Sequence, residues 1–131
     1  MAGGGTQTAA MGFGGRTPSS TLDYAETWNG VSWTEESDLN TARYFLAGGV
    51  ASLTDAAAFG GHSPNLANME TWNGASWTER ADLSTGKRAL GGANQAPATA
   101  SLAFGGIDPS DISATSEEFT AGLGNKTITA S

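Results

Sequence analysis

A chain of 131 residues with 19 glycines, 15% charged residues and a formal net charge of −7 is long enough for one domain with its own core, and its composition suits neither a coiled coil nor a charged disordered tail. The acidic balance, with no basic cluster, excludes nucleic acid and an anionic membrane surface as partners. The absence of cysteine removes disulfides, thiolate metal sites and thiol nucleophiles; no apolar run of about 18 residues offers a membrane span, and residues 1–5 lack the pattern of a signal peptide.

In chain order, residues 1–8 read as a shortened inner strand. Residues 9–15 read as the next strand, carrying Phe13 and closed by Gly14 and Gly15. The motif returns with Phe59, Gly60 and Gly61, and again with Phe104, Gly105 and Gly106; the final glycines lie 46 and 45 residues apart, the repeat length of four-stranded propeller blades. Paired glycines at a strand end permit positive φ or close backbone approach. A polar, turn-rich loop follows each pair, at 16–21, 62–66 and 107–111.

Next comes the octet Glu26-Thr27-Trp28-Asn29-Gly30-Val31-Ser32-Trp33, repeated almost unchanged from Glu70 through Trp72, Asn73 and Gly74 to Trp77. Asn-Gly between β-favouring runs predicts a two-residue type I′ hairpin, which would set Trp28 opposite Val31 and Glu26 opposite Trp33, with both tryptophans diagonal on one face. Rings so placed are expected to be packing anchors between sheets. A degenerate third copy spans 116–125, with Phe119 in place of the first tryptophan. Polar connectors at 34–43 and 78–88 then lead into inner strands at 44–49 and 89–92, and residues 126–131 read as an outer strand. The expected architecture is all-β, with three four-stranded units at about 1–38, 39–82 and 83–131.

The order Arg, Leu-Ala-Gly-Gly, Ala-Ala-Phe-Gly-Gly and Glu-Thr-Trp-Asn-Gly-x-Ser-Trp-Thr-Glu resembles kelch-type β-propeller repeats. It is most similar to those in predicted virion and tail proteins of marine bacteriophages and related metagenomic sequences. The likeness spans nearly the whole chain, and departs from the usual kelch blade in carrying Trp-Asn-Gly where kelch hairpins tend to have a Tyr-Asp-Pro type turn. It implies propeller blades, a virion or extracellular setting, and a binding module rather than an enzyme. Copper oxidases on kelch-like propellers need a cysteine-modified tyrosine and histidine ligands, which this composition lacks.

Three blades fall short of the four to eight of a closed propeller, so the expectation is a homodimeric six-bladed ring closed through the terminal blades. A fragment of a longer repeat array is the alternative. No cofactor is expected. Candidate ligand-binding residues lie in the loops: Arg16, His62, Asn65, Asp108 and Asp111, on the same side of the ring as the connectors. His62, the single histidine, has no accompanying nucleophile motif. Asp108 and Asp111 flank a turn without the spacing of a closed calcium loop, and Asn125-Lys126-Thr127 matches a glycosylation acceptor. Glu35, Glu36, Asp38, Glu79 and Asp82 are expected to solvate outer edges. Arg43 and Arg88 are read as equivalent, each pairing with the Asp38 or Asp82 connector. Three functions are carried forward: a structural or binding module presenting loops, a glycan-binding lectin, and an intracellular interaction adaptor.

Overall fold

The structure is a computed structural model that describes residues 1–93 and 95–120 in full and the backbone of 124–129. It is all-β, with no helix among the described residues. The strands form three four-stranded antiparallel sheets, each a simple meander. The first sheet comprises β1 (Ala2–Thr6), β2 (Ala9–Arg16), β3 (Thr21–Trp28) and β4 (Trp33–Glu35); the second, β5 (Ala47–Ser52), β6 (Asp55–Phe59), β7 (Met69–Trp72) and β8 (Trp77–Glu79). The third comprises β9 (Gly91–Gly92), β10 (Ala100–Phe104), β11 (Thr115–Thr120) and β12 (Gly124–Thr129). The inner strands start later than expected, because residues 44 and 88 form isolated bridges and Phe45 and Ala89 take positive φ (54° and 53°) before β5 and β9 begin.

The sheets are held together by two contacts built alike. In the first, Met11, Phe13 and Ala25 of the first sheet meet Val50, Ala56, Ala58, Trp72 and Trp77 of the second, with connector residues Leu39 and Leu46 in the same cluster. Phe13 and Trp77 meet edge to face, their centroids 5.1 Å apart. In the second contact Phe59 and Met69 of the second sheet meet Ala103 and Phe119 of the third, with Leu83 and Leu90 from the connector. Alternation along each strand accounts for this: in β6, Ala56 and Ala58 point to one neighbour, Ala57 and Phe59 to the other. Small residues let the sheets approach, and a Cβ on Gly48 would collide with the Phe13 ring.

Each connector is tied to the sheets on both sides. The glycine pairs repeat one conformation, with φ of 63° and 119° at Gly14 and Gly15 and 57° and 118° at Gly60 and Gly61. This lets the Gly15 amide donate to Arg43 O at 2.8 Å and the Gly61 amide to Lys87 O at 2.7 Å. A Cβ on Gly14 would stand 2.8 Å from Arg43 O, so the second demand met by glycine is space.

The octets depart from the expected turn. Trp28 pairs directly with Trp33, Thr27 with Thr34 and Glu26 with Glu35; the second octet repeats this register. The loop therefore has four residues, and only its glycine has positive φ (95° at Gly30, 94° at Gly74), where a type I′ turn needs two. The asparagine side chain explains the preference: Asn29 Oδ1 accepts from the amides of Val31 and Ser32 at 2.9 and 3.0 Å, and Asn73 Oδ1 does the same for Ala75 and Ser76. Both tryptophans still share a face, as a direct pair with ring centroids 5.6 Å apart. In the third sheet Phe119 takes the position of Trp72, opposite Ser101 as Trp72 is opposite Ala56. The turn of that copy lies outside the described residues, as do the side chains of its Asn125-Lys126-Thr127 acceptor.

Candidate functional site

The joints between sheets are built around buried ion pairs. Arg43 Nη2 lies 2.9 Å from Glu70 Oε2 with both side chains fully buried, while Arg43 Nη1 donates to the carbonyls of Gly60 and Asn68. Asn40 donates to the same carboxylate from its backbone and side-chain nitrogens, at 2.7 and 2.8 Å. Burial lowers the Arg43 pKa, and Glu70, followed by Glu79 and Asp82, opposes that shift. Lys87 and Glu117 repeat the arrangement at the second joint, 3.4 Å apart, with the Ser84 amide and the Thr115 hydroxyl as further partners of the pair.

This corrects the expected equivalence. The counterpart of Arg43 is Lys87, at the same distance from the connector leucine, and the acid is Glu70 or Glu117 from the next sheet, not Asp38. A long cation reaching into the interface demands an interior carboxylate. Arg88 instead corresponds to Tyr44, and its Nη1 donates to Asn65 Oδ1 at 3.0 Å.

Where the two connectors meet the strand-end loops, backbone pairing is again alike. Tyr44 pairs with His62, and Arg88 with Ile107. The side chains there differ. At the first joint the Arg16 guanidinium lies over the Tyr44 ring at 4.8 Å, His62 stacks on Tyr44 at 4.9 Å and 37°, and exposed Phe45 leans on Tyr44 at 4.9 Å. A cation over an aromatic face is held by the ring quadrupole. Beside this row, Arg16, Tyr44 and the turn at 17–21 line an open depression of about 190 Å³. Among the described residues, His62 Nδ1 is shut off from solvent and has no hydrogen-bond partner, so no carboxylate or hydroxyl of theirs orients that nitrogen for proton transfer.

Of the five expected loop residues, the fold joins Arg16 and His62 through Tyr44, and ties Asn65 to Arg88. Asp108 and Asp111 form a separate turn. Asp108 Oδ1 accepts from the Ser110 hydroxyl at 2.6 Å and from the Ser110 and Asp111 amides at 2.8 and 3.1 Å. These bonds hold its carboxyl below the usual range, the Ser110 hydroxyl contributing most. The carboxylate is thus engaged by its own turn, and among the described residues no cluster of three metal-ligating side chains exists.

Tyr44 and Phe45 were not anticipated as site residues. The sequence signal for them is modest: the two connectors align without a gap, identical at five of the ten positions from 34 and 78 on, and Tyr44-Phe45 in one then stands against Arg88-Ala89 in the other. Positive φ at both Phe45 and Ala89 belongs to the shared joint, whereas the aromatic pair belongs to one joint alone. No protein-family model matches the chain, and no curated protein matches it.

Proposed function

We propose that this chain is a non-enzymatic binding module, a kelch-like propeller segment whose loop face recognises a protein or host-surface ligand, in a virion-associated setting as its repeats suggest. The observation that carries this reading is the contrast at the joints: identical backbone bonds and equivalent buried ion pairs support unlike side chains on one face. Rigid scaffolds presenting variable loops are the usual layout of a recognition surface. The non-enzymatic reading rests on the sequence having one histidine and no nucleophile motif around it, and is supported by Asp108 serving its own turn. Completion of the ring by self-association belongs to the same reading.

A glycan ligand is the second form of this proposal, favoured by the exposed ring of Phe45 beside Tyr44 and Arg16, an aromatic platform with a cation suited to an acidic sugar. An intracellular adaptor role has no such observation behind it.

A glycan array that includes acidic sugars, run with the full chain and with Arg16→Ala and Tyr44→Ala variants, tests the glycan form. Binding reduced at least tenfold in both variants is the expected result; binding unchanged in both overturns the assignment of the loop face.

A further inference from the structure

We infer that Asn29 is a site of spontaneous modification, cyclising with the next amide and opening to aspartate or isoaspartate, and that the fold suppresses the same reaction at Asn73. The inference is independent of the loop-face reading. β3 starts beside the 16–21 loop and ends at its octet loop, so the reacting residues lie at the other end of the sheet from Arg16 and Tyr44.

Asparagine before glycine is disposed to this reaction because glycine has no side chain to hinder attack by its own amide nitrogen. Gly30 N gives its proton to water and bonds to Asn29 Cγ; the Cγ–Nδ2 bond breaks, and Nδ2 takes up a proton and leaves as ammonia. Water then opens the cyclic imide. Breaking the bond from Gly30 N to Cγ restores the main chain with aspartate at position 29. Breaking the bond from Gly30 N to the backbone carbonyl carbon instead leaves the chain running through the former side chain, one methylene longer.

Both octet loops present the reacting groups alike. Asn29 Oδ1 and Asn73 Oδ1 each accept from two backbone amides, donors placed where negative charge gathers as Cγ is attacked. Among the described residues, neither the Gly30 and Gly74 amides nor the two asparagine Nδ2 groups are held by a hydrogen bond. Asn29, Gly30, Asn73 and Gly74 are all exposed.

The loops differ in the room around the glycine. A Cβ on Gly74 would stand 2.8 Å from Thr54 Cγ2 and 3.0 Å from Thr54 Cβ, whereas the nearest atoms to one on Gly30, the Cα and O of Thr8, lie at 3.5 Å. The pairing of β5 with β6 shifts between Val50 and Ser52, just before the Leu53-Thr54 turn, while β1 and β2 pair without a shift up to Gln7-Thr8. The two turns therefore meet their octet loops differently. Ring closure draws the glycine nitrogen toward Cγ and carries the glycine Cα with it; Thr54 stands against that movement at Gly74, and Thr8 leaves room for it at Gly30. Isoaspartate at 29 would lengthen the loop that sets Trp28 opposite Trp33. Aspartate there would keep an oxygen for the Val31 and Ser32 amides and add one negative charge.

Peptide mapping by mass spectrometry, after incubation of the full chain in mildly alkaline buffer, tests the inference by following amide-to-acid conversion at both positions. Three samples are compared: the native chain, the same chain unfolded in urea, and a Thr54→Gly variant whose folding is checked by near-ultraviolet circular dichroism. Conversion several-fold faster at Asn29 than at Asn73 is expected in the native chain, equal conversion in urea, and a rise at Asn73 alone in the variant. Equal native rates, no conversion at Asn29 or faster conversion at Asn73 overturns the inference. A native contrast that persists in urea, or that Thr54→Gly leaves unchanged, overturns the assignment to Thr54 and to the fold.

Discussion

The octets of the first and second sheets differ at one position, Val31 against Ala75, and fold to the same register, loop and ring geometry. Yet Trp33 is largely exposed and Trp77 is buried, and Glu26 faces solvent while Glu70 sits beneath an arginine. Local sequence sets the hairpin, and the neighbouring sheet sets its environment. The same residue is a surface group in one copy and a structural anchor in the other.

The sharpest way to break this comparison is at the acid. Glu70→Ala leaves Arg43 buried without its carboxylate and is expected to cost about 3–5 kcal/mol, whereas Glu26→Ala is expected to stay within about 0.5 kcal/mol, as at other exposed positions. Urea unfolding of the two variants measures both; equal costs would show that Glu26 is as deeply engaged as Glu70.

The indole nitrogens provide a smaller contrast within the second sheet. Trp72 donates to Leu53 O, but Trp77 Nε1 is buried without an acceptor among the described residues. Trp72→Phe is expected to cost about 1 kcal/mol more than Trp77→Phe, the net worth of one hydrogen bond. Thermal unfolding of the pair would show the order, and a reversal would mean that Trp77 Nε1 has an acceptor after all.

The turn asparagines are expected to show no contrast. Asn29→Ala and Asn73→Ala each remove the same two side-chain bonds to backbone amides, so each is expected to cost about 1 kcal/mol. A difference of more than about 0.5 kcal/mol in chemical denaturation would show that tertiary packing reaches into the loop.

Much of the scaffold was legible. Alternation and glycine pairs marked β2, β6 and β10, and the repeated octet marked the hairpins. The turn type was misread because Asn-Gly is the signature of a two-residue turn, whereas here asparagine acts through its side chain to close a four-residue loop. The partner of Arg43 is not legible in the sequence because its carboxylate is 27 residues away in the chain, in β7 of the second sheet and not in the connector that carries Arg43. Of the candidate site, Arg16 and His62 were chosen as loop residues, but the ring that joins them, Tyr44, lies in a connector that reads as part of the scaffold. Asp108 is legible as a loop residue flanking a turn, but the local hydrogen bonds that engage it are set by the conformation of that turn.

The amino-acid order alone determined what depends on neighbours along the chain: the strand periodicity, the positive-φ glycines and the recurrence of one unit. Only the tertiary structure decided which copy of a repeated residue is buried, which acid meets which cation, and which side chains gather on the loop face. Those outcomes depend on what lies across a sheet-to-sheet contact, and equivalent residues in a repeat have equivalent chain neighbours but different spatial ones.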